Sequence, residues 1–281
     1  MKRYFCGWYF KCQSASGTVA LIAAYHVTDG IMTCSVQVIT EEGSYKADFP
    51  ADAFCHGHDS VVIDRNAFSA DGICMELHTP EVCVTGSLSF GPLSPIRYDI
   101  MGPFKFVPFM ECRHSVFSMK HSVTGVLYVN GFPYTFKNAD GYMEGDRGFS
   151  FPREYIWTQC CFHDGSLMLS VADIPICGIH FTGVIGVIQY RGREYRLATY
   201  LGARAAVIQE GQVVIRQGGR KLTVRRLDDK KFPLAAPVAG SMSRTIHEAA
   251  SCRAFYRYEE KGRVVFEFAS DRASFEYEYK K

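Results

Sequence analysis

No apolar stretch in this chain approaches the length needed to cross a bilayer as a helix. Charge of one sign is also lacking. A formal net charge of +2 offers no basic face for nucleic acid. The densest basic stretch, Arg220 to Lys231, is broken by Leu222, Val224, Leu227 and the Asp228-Asp229 pair, so it reads as a twisted hairpin with a solvated outer face. An export signal is missing, because the aromatic run after Met1-Lys2-Arg3 is interrupted by Gly7 and Lys11. The 11 cysteines are odd in number and have no framework spacing, which points to free thiols in a reducing, cytoplasmic setting. No Gly-x-Ser-x-Gly elbow and no phosphate-cradling loop is present. Gly183-Val184-Ile185-Gly186 lies in an apolar strand, where glycine marks a barrel bend. Helical periodicity is almost absent. The one candidate helical turn follows Ser150, with Pro152 at the first helical position and Glu154 in the first turn.

What the chain does have is period-two alternation from end to end. With 16 Tyr and 21 Phe, the composition favours pleated sheet. Val82, Val84, Leu88 and Phe90 share one strand face, as do Val264, Phe266 and Phe268, and then Phe275, Tyr277 and Tyr279. Cys160 and Cys161 point to opposite faces if their segment is extended. Turn pairs such as Asp29-Gly30, Asn130-Gly131, Arg191-Gly192 and Lys261-Gly262 separate the runs at hairpin distance. The expected fold is all-β, closed into barrels or packed as sandwiches, because long meanders with open edges aggregate. A boundary near Asn138 to Gly141 divides the chain into 1–139 and 140–281, with about eight strands in each half. The segment from Phe90 to Pro108, with Pro92, Pro95, Pro103 and Pro108, is expected to be an irregular crossing that could cap a barrel mouth.

The most informative segment runs from Gly141 through Tyr142, Glu144, Asp146, Arg147 and Gly148 to Phe151-Pro152 and on to Trp157. Acids, an arginine, glycines and aromatics without clear periodicity suggest a functional loop on a rigid scaffold; the plain alternative is a glycine-rich connection with solvated charges. A second cluster, Glu111-Cys112-Arg113-His114-Ser115-Val116, places Cys112, His114 and Val116 on one face of a strand and Glu111, Arg113 and Ser115 on the other. Gly7-Trp8-Tyr9-Phe10-Lys11 reads as a strand with an aromatic face, and Trp157-Thr158-Gln159-Cys160 forms the fourth cluster. In Cys55-His56-Gly57-His58-Asp59, His56 and His58 are potential metal ligands, but no second ligand pair accompanies them, so no metal is expected. The polar residues of Ser243-Arg244-Thr245-Ile246-His247-Glu248 read as a strand's wet face.

Taken together, these clusters resemble the tocopherol cyclase family. Trp8, Tyr9 and Lys11 match its early aromatic-lysine motif, and Met110, Glu111, Cys112 and His114 match its Met-Glu-Cys-x-His strand. Glu144, Gly148, Phe151 and Pro152 match its Glu-x-Asn-Trp-Gly-x-x-Phe-Pro segment, and Trp157 and Gln159 match the Trp and Gln to which that segment leads. Asp146 and Arg147 depart from the pattern, standing where the family has Asn and Trp. The resemblance implies tandem lipocalin-like β-barrels, shared with carotenoid hydratase-like and Diels–Alderase-like proteins. It further implies an interdomain or barrel cavity for a hydrophobic, prenylated or aromatic small molecule.

Cyclases of that family protonate a prenyl double bond, and a phenol hydroxyl traps the cation, with no metal or redox cofactor. The resemblance therefore assigns catalysis to Glu144, Glu111, His114 and Asp146, with a buried, neutral carboxyl as the proton donor. Trp8, Tyr9, Tyr142, Arg147, Trp157 and Gln159 become the ligand-binding set, the aromatic rings facing the developing cation. Arg147 near Glu144 would lower that acid's pKa; directed at the ligand instead, it would orient an anionic group. A non-catalytic carrier of a lipid, quinone or pigment is the alternative; in either case the expectation is a cytoplasmic protein that touches membranes only to collect its ligand.

Overall fold

The computed structural model describes residues 3–57, 60–108, 110–176 and 179–279. Among these the regular structure is strand, with no α-helix and three short 3-10 turns at Ala51–Ala53, Gly102–Phe106 and Thr199–Leu201. The fold is all-β and lipocalin-like, built as two large antiparallel sheets. The first contains β1 (Arg3–Ser14), β2 (Gly17–Thr28), β3 (Ile31–Thr40), β4 (Ser44–Pro50), β5 (Phe54–His56), β6 (Ser60–Ile63), β7 (Asn66–Ser69), β8 (Gly72–His78), β9 (Cys83–Phe90), β10 (Cys112–Val129) and β11 (Phe132–Gly148). The second contains β12 (Tyr155–Phe162), β13 (Gly165–Ile176), β14 (Ile179–Tyr190), β15 (Arg193–Ala198), β16 (Arg204–Gln209), β17 (Gln212–Gln217), β18 (Arg220–Arg226), β19 (Phe232–Val238), β20 (Ser241–Glu260) and β21 (Arg263–Tyr277).

Each sheet is a meander whose first strand pairs with its last, β1 with β11 and β12 with β21. That pairing converts a row of hairpins into a curled sheet with few open edges. The hairpins close where the sequence places its turn pairs. At Asp29-Gly30, Asn130-Gly131, Arg191-Gly192 and Lys261-Gly262, both residues have positive φ, as the twist of a two-residue hairpin requires.

The chain divides into two compact units, the first comprising Met1–Pro95, Glu111–Phe151 and Pro233–Thr245 and the second Ile96–Met110, Pro152–Phe232 and Ile246–Lys281. The boundary anticipated at 139/140 falls inside β11, whose left-handed Asn138 and buried Gly141 mark irregular strand rather than a linker. The first unit also takes in the hairpin formed by β19 and the start of β20. There the Gln37 amide donates to Ala235 O at 3.1 Å and accepts from Ala235 N at 3.0 Å, matching the two-way exchange of a strand pair.

Inside the first sheet lies an apolar cluster that includes Phe10, Leu21, Val36, Phe68, Leu88, Phe136 and Met143. The second unit has its own apolar cluster, with Ile156, Leu169, Val213, Tyr256 and Phe275. Phe90 to Pro108 is largely irregular, as its prolines require. No helix forms after Ser150. Instead Phe151 N–H donates to Pro237 O, Ala239 N–H donates to Ser150 Oγ, and Gly240 N–H donates to Phe149 O. The groups a helical turn would need are thus engaged across the unit. On β20, Glu248 is 1% exposed, so the wet face expected for Ser243–Glu248 does not extend to its last residue.

Candidate active site

The central segment is strand as far as Gly148. Its periodicity was hidden because residues 141–145 are buried on both faces, and a strand covered on both sides loses the alternation of wet and dry. Tyr142, Glu144 and Asp146, two residues apart, share one face of β11. Across from them on the same face stand Lys11 opposite Tyr142, Tyr9 opposite Glu144, and His114 opposite Asp146. Two glycines let the strands close in. A Cβ on Gly145 would meet Gly7 O at 2.8 Å and the Phe117 ring at 2.9 Å. The register of β10 shifts between Val116 and Ser118, beside Glu144, and such bulges re-aim neighbouring side chains.

The result is a chain of five polar groups. Tyr142 Oη donates to Glu144 Oε2 at 2.5 Å. Glu144 Oε2 lies 3.1 Å from His114 Nε2, and His114 Nδ1 lies 2.9 Å from Asp146 Oδ1. The Cys112 thiol donates to Asp146 Oδ1 at 3.4 Å. Tyr142, Glu144 and His114 are 1%, 5% and 8% exposed, while Asp146 is half-buried. The Nδ1 contact is a hydrogen bond, whereas Nε2 meets Glu144 as an ion-pair contact off the ring N–H line.

The electrostatics follow from the geometry. Burial opposes a charged imidazole, but Asp146 and Glu144 outweigh it and hold His114 well above its ordinary value. Burial and then Glu144 push the Tyr142 phenol up, keeping it neutral. Burial, followed by Asp146, does the same to the Cys112 thiol, which is therefore no nucleophile here. His114, Glu144 and Asp146 each offer a ligand atom within 4.8 Å of the others, the spacing of a metal site. Their arrangement suits a proton better than a metal ion. The two acids sit at opposite ring nitrogens, so no single nitrogen lone pair faces both, and a protonated ring has no lone pair to give.

The other expected site residues lie on another strand or strand face, or just outside β10. Glu111 lies half-buried just before β10; its carbonyl accepts from Phe149 N–H and Ser150 N–H, and its charge is felt at Cys112. Arg147 is exposed and pairs in register with Cys6 and Arg113 on the opposite face from Glu144. Trp8 shares Arg147's face, stacked on His56 with centroids 5.5 Å apart. His58 and Asp59, the remainder of that candidate metal cluster, lie outside the described residues. Trp157 and Gln159 are buried on β12 in the second unit. There the Gln159 amide donates to Cys161 Sγ at 3.3 Å. The burial of Lys11, 1% exposed, had not been anticipated. The available signal was its alternation with Tyr9 and Gln13 along β1.

No family model and no curated protein matches the chain. Solved structures do. CghA in complex with Sch210972 is similar over 98% of this chain and 88% of its own, with a TM-score of 0.64 at 10% identity. CghA alone matches over 100% and 90%, with a TM-score of 0.63 at 10% identity. Kievitone hydratase from Nectria haematococca matches over 97% and 88%, with a TM-score of 0.56 at 10% identity. At such identity the likeness establishes a shared fold across nearly the whole chain. Among the described residues, no helix is long and apolar enough to cross a membrane.

Proposed function

We propose that this protein is a small-molecule-converting barrel enzyme that closes a ring in a prenylated or aromatic apolar substrate by proton transfer, as the tocopherol cyclase resemblance suggests. The observation that carries this reading is the buried imidazole of His114 held between two carboxylates, with its Nε2 edge off the Glu144 line. The proton donor is then His114, in place of Glu144 or Glu111. His114 Nε2–H gives its proton to the substrate alkene, and the substrate's own phenol oxygen forms the new C–O bond to the resulting cation. The phenol proton leaves to Glu144, which lies 3.1 Å from Nε2 and can reload the ring.

A raised pKa makes His114 a full store of protons but a weak acid, so the step needs further help. Glu144, on the Nε2 side of the ring, faces the carbocation that replaces the imidazolium, so part of the charge stabilisation carries over to the reacting centre. Tyr142 fixes the Glu144 oxygen and blocks competing rotamers. Such general-acid catalysis typically contributes 10²–10⁴-fold.

The test uses a prenylated hydroquinone in D2O, with ring-closed product measured by mass spectrometry and binding measured separately. One solvent deuterium should enter each product molecule. His114→Gln and Glu144→Gln should each lower turnover by about 100-fold or more with binding retained, while Glu111→Gln changes it little. Saturable binding without any product from the native chain would replace the enzyme by the carrier.

A further inference from the structure

The face of the first sheet opposite the His114 cluster carries a second group of functional-looking side chains. At the end where β1 begins and β11 finishes, Tyr4, Trp8, Tyr25, Phe54 and His56 form a continuous ring cluster. Tyr25 and Phe54 have centroids 4.9 Å apart, Tyr4 and Tyr25 5.9 Å, and Trp8 and Tyr25 6.4 Å. The His56 ring stacks on Trp8 at 25° and lies parallel to Phe54 at 2°. These rings are only half-buried, and His56 is exposed. Rings that serve only as core are covered, as Phe10 and Phe68 are immediately inside.

Beside the rings stand two arginines. Arg113 and Arg147 are direct cross-strand partners, an arrangement of like charges that costs stability. Arg147 makes no hydrogen bond or ion pair among the described residues, yet its charge is felt at Cys6, Tyr4 and Tyr25. Burial pushes the Cys6 thiol up to about 11 and the Tyr25 phenol up to about 12, so neither supplies a neutralising anion near pH 7. Half-covered aromatic faces next to an exposed guanidinium are complementary to a flat ring bearing a negative group.

We propose that this end of the first barrel is a second binding site, separate from the His114 cluster, for a planar aromatic anion that stacks among Trp8, Tyr25, Phe54 and His56 and pairs with Arg147. Trp8, Tyr25 and Phe54 pack against the buried apolar cluster of the first unit. A sulfonate or carboxylate on one edge of the ring meets the guanidinium through charge-assisted hydrogen bonds.

Calorimetric titration of the full chain with naphthalene-2-sulfonate and with uncharged 2-naphthol tests the assignment. The sulfonate should bind roughly 10-fold tighter than the naphthol, and Arg147→Gln should abolish that preference while leaving naphthol binding intact. Phe54→Ala should weaken both probes, and His114→Gln should leave both unchanged. Equal affinity for the two probes in the native chain would overturn the proposal. So would a preference that survives Arg147→Gln, a loss caused by His114→Gln, or no saturable binding below about 1 mM. Arg147 is exposed, so its variant keeps the test valid even if Phe54→Ala fails to fold. Because the readout is binding at the opposite face, failure here leaves the ring-closing reading untouched.

Discussion

Three buried histidines in the first unit are held in opposite charge states. His114 is kept protonated by Asp146 and Glu144 against the pull of burial. His26 is lowered to about 4 by burial, with Lys46 adding to it, and His121 is lowered to about 4 by burial alone. Unfolding returns all three to about 6.5, so each makes stability depend on pH. For His26 and His121 the unfolded chain binds protons more readily. Their contribution is complete above about 6.5 and is lost as pH falls toward 4, by up to roughly 3 kcal/mol each. For His114 the contribution is complete below about 6.5 and drains as pH rises through its raised folded value. Urea melts between about pH 4 and 9 should therefore show His121→Gln flattening the acid side and His114→Gln flattening the alkaline side. Parallel curves for the native chain and both variants would refute these charge states. The same residue scale explains what the sequence disclosed of the site. Alternation alone placed His114 with Cys112 and away from Glu111. It could not say which side of β11 faced His114, because both sides of that strand are buried.

At the scale of the element, β11 carries most of the chemistry and was the element hardest to recognise. Its glycines suggested a loop, yet they serve close approach. A Cβ on Gly148 would sit 2.0 Å from Glu111 O, and that oxygen already accepts two backbone N–H groups. Neither neighbour can yield easily. Gly148→Ala should therefore cost upward of about 2 kcal/mol, whereas Gly131→Ala, also at positive φ but with open space around it, should cost about 1 kcal/mol. Denaturant midpoints of the two variants, compared at unchanged slope, decide this. If Gly148→Ala proves as mild as Gly131→Ala, the close packing of β11 on residue 111 is wrong. Strands with one wet face and the hairpin turns were legible from sequence, since their residues carry the local signal. The irregular path after Ser150 was not, because its hydrogen-bond partners, residues 237 to 240, lie about 90 positions away in the chain.

At the scale of the whole molecule, the tandem all-β plan was readable from periodicity and turn spacing, but the boundary was not. A cut near residue 140 assumed that each unit is continuous. Instead the first unit recruits Pro233–Thr245, whose contacts to Gln37, Ser44 and Phe151 cannot be inferred from local composition. A fragment ending at residue 151 would leave the fully buried Gln37 amide without its two-way partner. That fragment should melt well below the intact chain and bind a hydrophobic dye, by roughly the 1–3 kcal/mol that stranded polar groups cost. Equal melting of fragment and full chain would show that the hairpin adds nothing.

The recruited hairpin also sets a timetable. As the polypeptide leaves the ribosome, β1 waits for β11, and the assembled sheet still waits for residues 233 to 245, by which point most of the second unit has already emerged. The part made first is finished late. A nascent chain paused between β11 and that hairpin would hold a nearly complete but unlatched barrel, the stage at which chaperone capture and premature aggregation compete for it.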